Sequence, residues 1–209
     1  MKTISILSRK GGAGKTTLAA HLAVAAENSG LSTAIFDLDP QASAAVWADA
    51  RGDGVPAVVP AQAPRLRALL DQAAKQGAGL VLIDTAPHAD GIAADAAAVS
   101  DAILIPCRPS SFDLSAIGST VRLAQSAGKP CYVIINAAPI QGGEVAETKA
   151  ALEAAGVAVA PVTIYQRKAM SAWISAGRTA LEGDPRGKAA EEINSLFEWL
   201  CLNVIKITK

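Results

Sequence analysis

Aromatic residues are scarce: three Trp, three Phe and two Tyr, together 4% of 209 residues. A core so poor in rings must be built from aliphatic side chains and alanine, which suits helices packed closely on a sheet. Cysteine is equally rare. Cys107, Cys131 and Cys201 are odd in number and widely separated, which argues against a disulfide framework, and no C-x-x-C spacing suggests zinc or an iron–sulfur cluster. They read as reduced thiols of a cytoplasmic protein, at least two of them packing residues. There is no excess of either charge: 19 Lys and Arg face 19 Asp and Glu, for a net charge of +0. A dedicated basic nucleic-acid domain would be more positive, so any DNA contact must use a local patch. No apolar run approaches a membrane span, and no signal-peptide pattern, internal repeat or long linker is present. Apolar residues are plentiful at 51%, enough for a large core, and the length fits one domain over residues 1–209.

The most informative stretch is Arg9-Lys10-Gly11-Gly12-Ala13-Gly14-Lys15-Thr16-Thr17. It follows an apolar run, residues 3–8, that reads as a buried strand, and precedes an alanine-rich run, residues 18–28, that reads as a helix. Strand, glycine turn and helix N-terminus make a phosphate cradle, with backbone N–H groups turned toward an anion and helix partial charge behind them. Lys15 can reach β- and γ-phosphates, and the Thr16 hydroxyl can ligate Mg²⁺. The usual pattern is G-x-x-x-x-G-K-[ST]. Here Arg9 replaces the first glycine, and a second lysine, Lys10, precedes Gly11.

Two acidic strand ends complete the pattern. Residues 31–36 read as a strand ending in Asp37-Leu38-Asp39-Pro40-Gln41, and Leu80-Val81-Leu82-Ile83 as one ending in Asp84. Carboxylates at strand ends beside a phosphate loop suggest chemistry around Mg²⁺ or water. A buried strand's terminal acid needs a cation or hydrogen-bond donors, and Asp84 suits Mg²⁺ held through water. The remaining pattern alternates. Helices are expected over 42–50, 64–76, 92–99, 109–127, 144–155, 170–176 and 187–203, with Ser110 or Ser111 capping the fourth of these. Strands are expected over 55–59, 102–106, 131–136 and 157–162, the first of them near a sheet edge because Pro56 and Pro60 limit its pairing. The result is an α/β fold, a doubly wound, mostly parallel sheet with helices on both faces. His88 reads as a turn residue. Arg167, Lys168, Arg178, Arg186 and Lys188 against Glu182 and Asp184 form a candidate basic patch or an ordinary solvated face.

The segment from Lys10 to Thr17 resembles the deviant Walker A motif, K-G-G-x-G-K-[ST]-T, of the ParA/MinD family of ATPases. Asp37 to Gln41 resembles the family's Walker A′ segment and Asp84 its Walker B acid, and the likeness extends over nearly the whole chain. Pro109 to Asp113 and Thr163 to Arg167 resemble segments of short partition ATPases. The resemblance implies a P-loop ATPase of DNA partition using ATP and Mg²⁺. The nucleotide would be bound by Lys10, Gly11, Gly12, Ala13, Gly14, Lys15, Thr16 and Thr17, with Asn136 near the adenine. Thr16, Asp39 and Asp84 would hold the metal. Lys10, Lys15 and Asp39 would serve catalysis, Asp39 by orienting the attacking water and Lys10 by reaching into the partner's nucleotide site. It further implies an ATP-bound sandwich homodimer, non-specific DNA binding, nucleoid association, and a centromere-binding ParB-type partner that stimulates weak hydrolysis. The chain begins at its first strand, so no N-terminal helix-turn-helix domain is expected. A MinD-like membrane positioner is the first alternative, but the final helix carries Glu191, Glu192 and Glu198, with only Lys206 and Lys209 after it, which argues against a membrane partner. A P-loop metabolic enzyme, such as a dethiobiotin-synthetase-like ligase, is the second.

Overall fold

A computed structural model describes residues 1–206, and of residues 111–116 the backbone alone. The strands are β1 (Lys2–Ile6), β2 (Thr33–Asp37), β3 (Ala57–Pro60), β4 (Leu80–Asp84), β5 (Ala102–Cys107), β6 (Cys131–Ala138) and β7 (Val159–Tyr165). They form one seven-stranded sheet in the order β3-β2-β4-β1-β5-β6-β7. Every pairing is parallel, so the sheet is parallel throughout rather than mostly so. β3 is an edge strand, where Pro60 has no missing partner to supply.

The helices are α1 (Lys15–Asn28), α2 (Ser43–Arg51), α3 (Leu66–Lys75), α4 (Asp90–Val99), α5 (Ser111–Ser126), α6 (Glu144–Ala154), α7 (Lys168–Ala172), α8 (Ala180–Gly183) and α9 (Lys188–Leu200). Alternation along each strand divides the core in two, as a period of two requires. Ile4, Ile6, Ile35, Leu80 and Leu82 pack with α1 and α9 on one face. Phe36, Val81, Ile83, Ile103 and Ile105 pack with α3, α4 and α5 on the other. The apolar stripe of α9, namely Ile193, Leu196, Phe197 and Leu200, is buried against the sheet, which accounts for it without a membrane. Among the described residues no helix is long and apolar enough to cross one.

Several boundaries differ from the sequence expectation, each with a local cause. α1 begins three residues early, at Lys15, because Gly14 in the left-handed region (φ 89°) turns the chain directly into the helix. The segments 157–162 and 163–167 merge into β7, which ends at Tyr165. The expected helix 170–176 divides into α7 and a 3-10 turn, Ile174–Ala176, closed by Gly177. α8 was not expected, although its capping box, Thr179 with Glu182, is a legible signal. The last helix passes into a π turn over Cys201–Ile205. Cys107 is buried, Cys131 and Cys201 are half-buried, and none of the three forms a disulfide among the described residues. The side chains of Ser111 and Asp113, and all of Lys209, lie outside the described residues.

Candidate functional site

The sheet register delivers the site. Ile6, the last residue of β1, stands opposite Asp84 of β4, and Asp84 stands opposite Asp37 of β2. The loop leaving β1 is therefore flanked by acids that are distant in sequence. Residues 9–14 form the turn, and α1 starts at Lys15. A cleft of about 330 Å³ opens over it, lined by Gly11, Gly12, Gly14, Lys15, Thr16, Thr17, Ala20, Asp39, Ser43, Trp47, Pro87 and Ile174. Six residues of the loop and the start of α1, from Gly11 to Thr17, thus line the cleft together with Asp39. Ser43, Trp47, Pro87 and Ile174 were not foreseen. Nothing in the sequence links Trp47 to Ile174, and only the fold brings them to one cleft.

Lys15 is 7% exposed. Burial lowers its pKa, while Asp84 and Asp39 act in the opposite sense. The Thr16 hydroxyl donates to Asp84 Oδ2 at 2.6 Å. Asp84 is fully buried, and its Oδ1 has no hydrogen-bond partner. Desolvation raises its pKa to about 7, against the Thr16 hydrogen bond, with the negative charge of Asp37 adding to the rise. A buried carboxylate oxygen left bare is costly unless something positive meets it. Among the described residues there is no cluster of three or more His, Cys, Asp or Glu suited to a metal. The donor set, one hydroxyl and one bare carboxylate oxygen, fits Mg²⁺ carried largely by phosphates and water.

The two acids after β2 have different roles. Asp37 is buried, and its Oδ2 accepts from the N–H groups of Ala44 (3.0 Å) and Ala45 (3.2 Å) while Oδ1 accepts from Asp39 N. It therefore satisfies the open N-terminus of α2 rather than facing metal or water, which narrows the expectation of chemistry there to Asp39. Asp39 is half-buried, borders the cleft, and accepts from Gln41 N at 2.9 Å.

Asn136 is buried, and its Nδ2 donates to the Ala13 carbonyl at 2.8 Å. A Cβ on Gly14 would stand 2.4 Å from that nitrogen, so the amide acts as a strut beneath the loop. Lys10 is half-buried and borders a separate small depression with Ser8, Ala13, Pro106, Ile117 and Thr120. It does not line its own subunit's cleft. Arg9 pairs with Asp90 at 2.9 Å, and His88 occupies a turn with φ 55°.

A second set of bonds braces the cleft from behind. His21 Nε2 accepts from Ala180 N, a donor whatever its surroundings, so Nδ1 carries the proton and donates to the Thr17 carbonyl. Arg51 Nη1 bonds Glu182 and the Gly177 carbonyl, and its guanidinium lies 5.5 Å from the Trp47 ring. The basic patch is altered by pairing. Arg167 is held by Glu192, and Glu182 by Arg51. Lys168, Arg178, Arg186 and Lys188 remain exposed beside exposed Asp184.

This fold, with a glycine loop between its central strand and a helix and acids on the neighbouring strand ends, defines a P-loop nucleotide-binding protein. A family model agrees over residues 4–180, and the chain belongs to the CobQ/CobB/MinD/ParA nucleotide-binding-domain family. It is 33% identical over 198 residues to the maintenance of carboxysome distribution protein A of Gloeobacter kilaueensis, covering 91% of this chain and 88% of that one. It is 27% identical over 189 residues to a ParA protein of Rhizobium radiobacter, covering 85% and 84% respectively. Its fold matches the septum site-determining protein MinD of Pyrococcus horikoshii, solved with Mg-ADP, at TM-score 0.75 and 20% identity, over 100% of this chain and 99% of that one.

Proposed function

We propose that this chain, as one ATPase domain, is an ATP-dependent partition protein: ATP binding drives sandwich dimerisation, the dimer binds DNA without sequence preference, and a ParB-type partner stimulates the hydrolysis that releases it. The observation that carries the reading is the bare, buried Asp84 oxygen beside the Thr16 hydroxyl, with the buried Lys15 within electrostatic reach, a donor set suited to Mg²⁺ and phosphate. Lys15 and the loop amides hold the β- and γ-phosphates. Thr16 and Asp84 hold Mg²⁺, which offsets charge on those phosphates when bound. Asp39 accepts a hydrogen bond from the attacking water and fixes its direction. Among the described residues no strong general base borders the cleft, which suits a slow, partner-timed hydrolysis.

The exposed Lys168, Arg178, Arg186 and Lys188 supply the DNA surface, doubled on dimerisation. The relatives named for carboxysome distribution and for ParA support a role in distributing a cargo, whether DNA or a protein assembly carried over DNA. The test is direct. With Mg²⁺ and a non-hydrolysable ATP analogue the protein should dimerise and retain random-sequence DNA, with affinity falling steeply as salt rises. Without nucleotide it should do neither. Asp39→Ala should bind ATP and accumulate as dimer without turnover, and Arg178→Glu should dimerise but hold DNA weakly. Equal DNA retention with and without nucleotide would remove the switch.

A further inference from the structure

The cleft is short of positive charge for a nucleoside triphosphate. Lys15 stands alone against Asp39 and Asp84, and the start of α1 adds only about half a charge. Three other cations lie along the loop's rim: Arg9, Lys10 and Arg108. Arg9 is engaged with Asp90. Lys10 is turned to the depression beside Ser8 and Pro106. Arg108 is placed differently. It follows β5, whose Leu104 pairs with Ile6 next to the loop, and its Nη2 lies 3.9 Å from the point where a Gly12 Cβ would stand. Gly12 lines the cleft.

The backbone beneath Arg108 is fixed. Cys107 before it is buried, Pro109 after it holds Arg108 to an extended conformation, and the Arg108 carbonyl accepts from Ser110 N at 2.8 Å. The side chain is exposed, and its guanidinium has no ion pair among the described residues. A planar fork of donors, held beside a glycine turn built for phosphate and without an ion pair to another described residue, is suited to a phosphate group.

We propose that Arg108 is a phosphate-contacting residue of this site, closing over the terminal phosphates of a bound nucleoside triphosphate from the β5 side, opposite Asp39. The proposal rests on the ATP-binding reading above and adds a residue to it. A contact to the outermost phosphates should distinguish ATP from ADP. Arg108→Ala should weaken Mg-ATP binding at least tenfold and Mg-ADP binding less than threefold, with a melting temperature within about a degree of wild type because the side chain is exposed. Arg108→Lys should recover part of the ATP affinity, since an ammonium keeps the charge and loses the fork.

Titration with fluorescent ATP and ADP analogues, together with a thermal melt, decides the matter. Wild-type protein that binds neither nucleotide would overturn the proposed function, and this inference with it. Wild type that binds ATP while Arg108→Ala binds it equally well, or loses ATP and ADP alike, would overturn this inference alone.

Discussion

The Thr16 hydroxyl and the Asp84 carboxylate are joined by a 2.6 Å hydrogen bond, which leaves Asp84 with one satisfied oxygen and one bare one. Thr16 is the second residue of α1, and Asp84 ends a strand 68 positions later. Asp84→Asn should keep the Thr16 contact while removing the buried charge. The nucleotide-free protein should then melt no lower than wild type, because burial disfavours the Asp84 charge more than the Thr16 hydrogen bond and Lys15 favour it. The benefit of Mg²⁺ to ATP affinity should shrink at least tenfold. Calorimetric titrations with and without Mg²⁺ measure it, and an unchanged Mg²⁺ dependence would exclude Asp84 from the metal site.

Gly14 and Asn136 make a second test. A methyl group at Gly14 meets Asn136 Nδ2 at 2.4 Å and must also occupy φ 89°. The conformational part costs about 1–2 kcal/mol, and the clash adds to it. Gly14→Ala should therefore lose most nucleotide affinity. In an Asn136→Ala background, where the strut is absent, the same change should cost less. A double-mutant cycle separates the two parts, and full additivity would show that the strut exerts no pressure on the loop.

His21 predicts an acid-side loss of stability. Burial lowers its pKa to about 4, against the Thr17 carbonyl hydrogen bond and the charge of Glu182. The unfolded chain takes up a proton near pH 6.5, and the folded chain does so only near pH 4. The unfolded state thus binds more protons between those values, and stability falls as pH drops from about 6.5 to about 4, by about 3 kcal/mol in all. Urea melts across that range should show His21→Gln with a shallower decline than wild type. Parallel declines would place the proton uptake elsewhere.

Lys10 tests the assembly. It borders a depression of its own subunit rather than the nucleotide cleft, so removing it should spare monomeric ATP binding. In the partition reading it serves the partner's nucleotide. Lys10→Ala should bind ATP within a few-fold of wild type and fail to dimerise with a non-hydrolysable analogue, as read by analytical ultracentrifugation. Undiminished dimerisation would sink the cross-subunit role.

Much of this was legible in the sequence because it is local. The loop from Lys10 to Thr17 carries its own turn residues, and four apolar residues running into Asp84 announce a buried strand. The paired acids of Asp37-Leu38-Asp39 could be seen but not separated. That Asp37 serves α2 depends on the first turn of that helix folding back seven residues later. The neutralisation of Arg167 by Glu192, the wall shared by Trp47 and Ile174, and the placement of Arg108 over Gly12 join residues from different elements. Their contacts exist only once the sheet order is known. α8 was missed for another reason: four residues are too few to show a period, and only its cap residues mark it.

The position of β1 between β4 and β5 sets a timetable for synthesis. The phosphate loop is synthesised before both strands that flank β1, of which β4 ends at Asp84 and β5 at Cys107, and Ile174 joins the cleft later still. A parallel strand cannot be held by a hairpin with its sequence neighbour, and these pairings are all long-range. The nascent chain therefore carries the nucleotide motif long before it has a nucleotide site.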